Sequence, residues 1–158
     1  MSGIIGVGPD ETSGIIGAFP AGHVVQTVFA PTIVSNATGH TTEAVAASVT
    51  GQITITSGNG VLIFVQAETY IDRGSGDMGY RAQIRETNAV SGASLATNYY
   101  RDTNTAGNWW HGFFLSAYDS SPADTTPDYC MTLQTTAAGA NWVRYNGGIA
   151  IYLIEVKQ

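Results

Sequence analysis

Apolar residues recur at alternate positions in short runs along this chain, and clusters of Gly, Pro, Ser, Asn and Asp separate the runs. Alternation sends successive side chains to opposite faces of an extended backbone, which is the mark of half-buried β-strands. The clearest case is residues 80–86, where Tyr80, Ala82 and Ile84 share one face and Arg81, Gln83 and Arg85 the other. Further strands are predicted at 23–30, at 44–56 in two pieces around Gly51, and at 61–71, 94–101, 111–119, 129–136 and 141–145. Ser57-Gly58-Asn59-Gly60 is a hairpin signal ahead of the strand at 61–71. No stretch shows a convincing amphipathic helical period. Short strands at such turn spacings predict an all-β fold, an antiparallel jelly-roll β-sandwich of about eight strands.

Residues 147–158 (GGIAIYLIEVKQ) depart from simple alternation. Ile149, Ile151 and Leu153 point one way, while Ala150, Tyr152, Ile154 and Val156 point the other. A strand apolar on both faces needs a core beneath it and a second layer or another copy of the chain above it. Tyr152, Ile154 and Val156 are therefore the candidate subunit contacts.

The first 18 residues read differently. SGIIG occurs at 2–6 and again at 13–17, and two copies are too few for a solenoid. So much glycine around isolated Ile pairs predicts an extended attachment arm over 1–18, docking through Ile4, Ile5, Ile15 and Ile16, ahead of a jelly-roll domain over 19–158.

Composition narrows the function classes. A chain of 158 residues is long enough to bury a core without staples, and Cys130, its single cysteine, cannot form an internal disulfide. The net charge is −6, and the one lysine and five arginines form no basic patch of the kind that nucleic acid requires. Charged residues are 11% of the chain against roughly 25% in an average domain, so Thr, Ser, Asn, Gln and Gly must carry the surface. Such a surface suits a protein that is assembled and displayed. No run approaches the roughly 20 apolar residues that span a bilayer. Residues 1–8 lack the basic region and apolar stretch of a signal peptide, which predicts synthesis in a cytoplasm.

Candidate chemistry is sparse. His23, His40 and His111 stand apart from one another in no metal-ligand spacing, and no GxSxG turn or phosphate loop is present. Asp72 and Asp77, and the group Asp119, Asp124 and Asp128, lie in loops where turn closure accounts for them, and none follows a calcium-loop pattern. No catalytic residue, cofactor or metal is expected. The aromatic segment 98–114 is the richest candidate, since Tyr99, Tyr100, Trp109 and Trp110 lie beside Asn98, Arg101, Asp102 and Asn108. Flat rings rimmed by hydrogen-bonding groups suit a glycan. Neighbours on a strand face opposite ways, so at most half of these rings share one surface; the alternative sends each pair to core and subunit contact.

The segments FPAGHVVQTVFAP (19–31), VLIFVQAETYI (61–71), GYRAQIRET (79–87) and GGIAIYLIEVKQ (147–158) resemble a family of small jelly-roll domains in bacteriophage virion proteins. Members sit at tail-fibre tips or decorate capsids, with three chains about a threefold axis as in the tumour necrosis factor and C1q type. The resemblance implies a homotrimer made in the host cytoplasm and carried on the virion surface. Its partners are then its own copies and other virion proteins, such as the major capsid protein or a fibre protein. A short arm at Met1 without a shaft suits a capsid decoration (cement or head-fibre) protein and equally a short fibre held by another virion protein. The other reading is a tail-fibre or receptor-binding tip that recognises host surface glycans.

Overall fold

The computed structural model describes residues 21–32, 42–72, 78–102, 109–135, 142–144 and 148–158. The attachment arm expected at 1–18 lies outside them, as do His40 and Asp77. Nine strands are present among the described residues: β1 (Val24–Thr32), β2 (Ala44–Val49), β3 (Gly60–Asp72), β4 (Met78–Glu86), β5 (Ser94–Asp102), β6 (Trp109–Asp119), β7 (Tyr129–Thr135), β8 (Trp142–Arg144) and β9 (Ile149–Val156).

The strands form two antiparallel sheets, one in the order β1-β9-β3-β6 with β8 added against β3, the other in the order β2-β7-β4-β5. Strand pairing is nested. The β4–β5 pair lies innermost in sequence, followed by β3–β6, β2–β7 and β1–β9, and successive pairs belong alternately to the two sheets. A long antiparallel ribbon wound into two layers has this order, which is that of the expected jelly roll.

Alternation fills the space between the sheets. Ile63 and Val65 of β3, Leu115 of β6, and Ile151 and Leu153 of β9 pack inward from one sheet, against Tyr80, Ala82 and Ile84 of β4 and Met131 and Leu133 of β7 from the other. Each of the Val, Leu, Ile and Met side chains among them contributes roughly 1.5–3 kcal/mol on burial.

Residues 44–56 differ from expectation. Only Ala44–Val49 forms a strand, and residues 52–56 pair with no neighbour although Ile53 and Ile55 are buried. Gly51, at φ +60°, redirects the chain, and the backbone donors that follow go elsewhere: Ile55 N to Thr125 O at 2.8 Å and Thr56 N to Glu155 Oε1 at 2.7 Å. The turn at 56–59 forms, with Asn59 N donating to Thr56 O and Gly58 at φ +89°, but it follows a loop and closes no hairpin. The piece predicted at 141–145 is the short β8, whose Val143 lies opposite Ile71.

The outer face of the second sheet is polar and ion-paired. Glu43 accepts hydrogen bonds from Arg85 Nε (2.5 Å) and Nη2 (2.9 Å), Arg81 Nη2 (2.9 Å) and Thr132 Oγ1 (2.6 Å). The Arg85 bonds are the main reason that the Glu43 carboxyl titrates below its ordinary range. Arg85 Nη1 also donates to Gly92 O, which ties β4 to the turn before β5.

The other clamp is internal. Glu155, 1% exposed near the end of β9, accepts from Thr56 N, Asn59 Nδ2 and Gln26 Nε2, each at 2.7 Å. Burial would raise its pKa, but these donors outweigh that effect and hold it below its ordinary value of 4.5. A depressed native pKa gives stability that is complete above the unfolded value and lost as pH falls through the native one. Thermal melts should therefore be flat near neutrality and decline below pH 4.5. Glu155→Gln should lower the neutral melt by about 2 kcal/mol, because one donor then faces another. The same variant should also flatten the acid decline, leaving the part due to Glu43; an acid limb as steep as that of the wild type refutes the clamp.

Candidate functional site

The first sheet turns Ile149, Ile151, Leu153 and Glu155 of β9 inward, which leaves Ala150, Tyr152 and Ile154 on its outer surface. Neighbouring strands extend this surface in register. Phe29 lies opposite Tyr152, which lies opposite Phe64, and Thr27, Ile154 and Leu62 form the next row. Phe114 lies opposite Gln66, diagonal to Phe64, and Tyr118 lies opposite Leu62. The rings are packed: Phe29 and Tyr152 stack with centroids 4.8 Å apart, and Phe64 and Phe114 with centroids 5.7 Å apart.

Within the single chain this surface stays open. Phe29 is 53% exposed, Phe114 57% and Tyr118 47%. Along it Thr27, Gln66 and Ser116 are the polar members, and no charged side chain interrupts the rows before Glu68. At 4.8 Å between strands and 3.4 Å per residue, its four strands cover on the order of 400 Å². An area of that size is in the range of the largest apolar patch on a typical monomer, which is often a functional one.

Of the three interface residues expected from sequence, Tyr152 and Ile154 lie on this face. Val156 does not, since it is 9% exposed and lies between Val24 and Gly60. Strict alternation fails at the end of β9, where Glu155 and Val156 are both buried. Phe29, Leu62, Phe64 and Phe114 complete the face. Sequence reading passed over them because they are spread over three strands, β1, β3 and β6; alternation within 61–71 could have marked Leu62 and Phe64, but only the register joins them to Tyr152.

The aromatic segment divides as strand geometry requires. Tyr99 is 66% exposed on the edge strand β5, while Tyr100 packs against the core. The Tyr100 ring stacks on Tyr80 at 4.7 Å and touches Phe113 at 5.4 Å and His111 at 5.0 Å. Tyr80 Oη lies 2.5 Å from His111 Nδ1. Burial keeps Tyr80 protonated and lowers the His111 pKa, so the phenol donates to a neutral imidazole. Trp109 and Trp110 open β6 opposite Ile71 and Tyr70; their side chains are outside those described. Two of the acids serve turns, Asp119 accepting from Ser121 N as well as from Tyr129 Oη and Asp124 from Thr126 N, whereas Asp128 accepts from the distant Gly51 N.

No protein-family model matches the chain, and no curated protein matches it. Among solved structures, it is similar to a Bacillus endospore appendage from a family of disulfide-linked pili, at 14% identity and TM-score 0.34 over 90% of this chain and 96% of that one. A chain of infectious bursal disease virus strain Gx matches at 11% identity and TM-score 0.33; the match covers 88% of this chain and 32% of that one. A CBM4 structure matches at 14% identity and TM-score 0.25 over 82% and 91%. With every TM-score below 0.5, none of these likenesses carries an argument.

The split between the two tyrosines is measurable. Tyr100→Ala should lower stability by roughly 2 kcal/mol, a drop of about 4–8 °C in Tm, whereas Tyr99→Ala should stay within about 0.5 kcal/mol. Equal losses would overturn the assignment of one ring to the core and the other to solvent.

Proposed function

We propose that this chain is a non-catalytic structural protein of a bacteriophage virion, a homotrimer on the particle surface that assembles through the aromatic outer face of the β1-β9-β3-β6 sheet. The single observation that carries this reading is that face: apolar, contiguous, open in one chain, and built on the closing strand. Its occupant is another copy of the chain. A net charge of −6 opposes association wherever charges gather, but copies can meet here without like-charge repulsion because the rows carry none. The low charge content suits a displayed, assembled surface, and the resemblance of the closing segment to trimeric virion domains supplies the threefold arrangement. Residues 1–18 serve as the arm, with Ile4, Ile5, Ile15 and Ile16 docking on other virion proteins.

A second reading rests on Tyr99, which stands 66% exposed on an edge strand beside Asn98 and Arg101. In that reading the same trimer is a tail-fibre or receptor-binding tip that contacts host surface glycans. Tyr99→Ala then abolishes host-cell binding, whereas a decoration protein is indifferent to it.

Light scattering on the full chain should give three times the mass of one chain. Phe29→Glu combined with Phe114→Glu should give monomer with an unchanged strand spectrum, because both rings are exposed. A monomeric wild type, or a trimer that survives both substitutions, overturns the assembly face. Removal of residues 1–18 should leave the trimer intact and abolish its attachment to particles.

A further inference from the structure

At one end of the sandwich, the turn at 55–59, the loop at 120–125 and Gln158 enclose an open recess of about 260 Å³. Both walls are pinned from behind by buried carboxylates. Glu155 holds the first wall through Thr56 N and Asn59 Nδ2. Asp119, 6% exposed, holds the second by accepting from Ser121 N at 3.0 Å while Tyr129 Oη donates to its other oxygen at 2.9 Å. Ile55 N donates to Thr125 O and joins the walls directly. Burying a carboxylate is costly unless its hydrogen bonds are met, so two of them spent on holding two loops indicate that loop position matters.

Asn59 gives the recess its directional group. The residue is 8% exposed and lines the recess. The Glu155 carboxylate requires a donor, which fixes the amide with Nδ2 turned toward Glu155. That leaves Asn59 Oδ1 as a positioned acceptor, and no described residue donates to it. Serine hydroxyls from both walls, those of Ser57 and Ser121, supply donors and acceptors nearby.

We propose that this recess binds a small neutral ligand rich in hydroxyl groups, of the size of a single sugar ring. The assignment follows from what the lining offers and lacks. No Lys or Arg lines it, which argues against an anion, and Asp124 is its one acidic side chain, too few for a calcium ion with its 6–8 oxygens. The volume falls just below the ~300–1,000 Å³ of drug-sized sites. The inference does not rest on the assembly reading, since none of the residues named here belongs to the aromatic rows.

The test is an amide chemical-shift titration of the full-length protein with glucose, galactose, mannose and N-acetylglucosamine, with calcium chloride and sodium phosphate as separate arms. At least one sugar should give saturable shifts at Gly58, Asn59, Ser121 and Ala123. Ala123→Trp, at an exposed position of the second wall, should weaken that response at least tenfold with no change in melt; Ser57→Trp does the same from the first wall. Tyr99→Ala should leave the response unchanged, which separates this site from the edge-strand tyrosine. The proposal is overturned by no saturable shift with any of the four sugars, by equal shifts in both tryptophan variants, or by a response to calcium or phosphate alone.

Discussion

The structure depends on the last strand reaching back to lie between the first and the third. Until β9 docks, β1 has no partner in its sheet and β3 lacks one of its two long neighbours. The pairing Val24↔Val156 joins residues near the two ends of the described chain, so the loop that must close is nearly the whole domain. Closure of long loops costs entropy before its contacts form, which predicts slow folding for this topology. What offsets that cost is concentrated in the closing strand, whose Ile149, Ile151 and Leu153 fill the core between the sheets.

Glu155 extends the same logic to the loops. A hydrophobic residue there would pack without specifying anything, whereas a carboxylate demands donors and obtains them from two segments, Gln26 of β1 and Thr56 and Asn59 of the turn at 55–59. In residues 52–56, which make no ladder, Thr56 N finds its partner in this way, while Ile55 N donates to Thr125 O. One side chain of the strand that completes the fold thus helps to hold this loop, beside the Ile55–Thr125 bond and the burial of Ile53 and Ile55. A register slip of one residue in β9 would turn Glu155 outward and Ile154 inward, and would strand those donors; the acid thus helps to set the register.

Much of this was legible in the sequence. The alternation of Tyr80 to Arg85 and the two-faced apolarity of the closing strand follow from the period of the chain alone, and the nested sheet order agrees with the expected jelly roll. The end of β9 was not legible, because Glu155 reads as a solvent-facing acid unless its donors from positions 26, 56 and 59 are known. The aromatic face was half legible: Tyr152 and Ile154 follow from alternation, but Phe29, Phe64 and Phe114 join them only through register across four strands. Tyr99 and Tyr100 show the limit of composition, since adjacent identical residues went to solvent and core, and only the parity of the strand divides them.

The two outer faces of the sandwich pose opposite problems to water. On the β2-β7-β4-β5 side, Arg81 and Arg85 meet Glu43 in ion pairs and Arg81 also donates to the Gln134 amide, although Arg81 Nε is buried without a hydrogen-bond partner among the described residues. On the β1-β9-β3-β6 side, rings stack on rings and no polar network is available to solvate them. A chain with 11% charged residues has few charges to distribute, and it has placed an ion cluster on one sheet and none on the rows of the other. Exposure of single apolar residues is ordinary, but segregation of this kind between two faces of one small domain is not. The uncharged face also forms around the strand on which closure depends, so covering it with another copy would shield the element whose loss would open the fold.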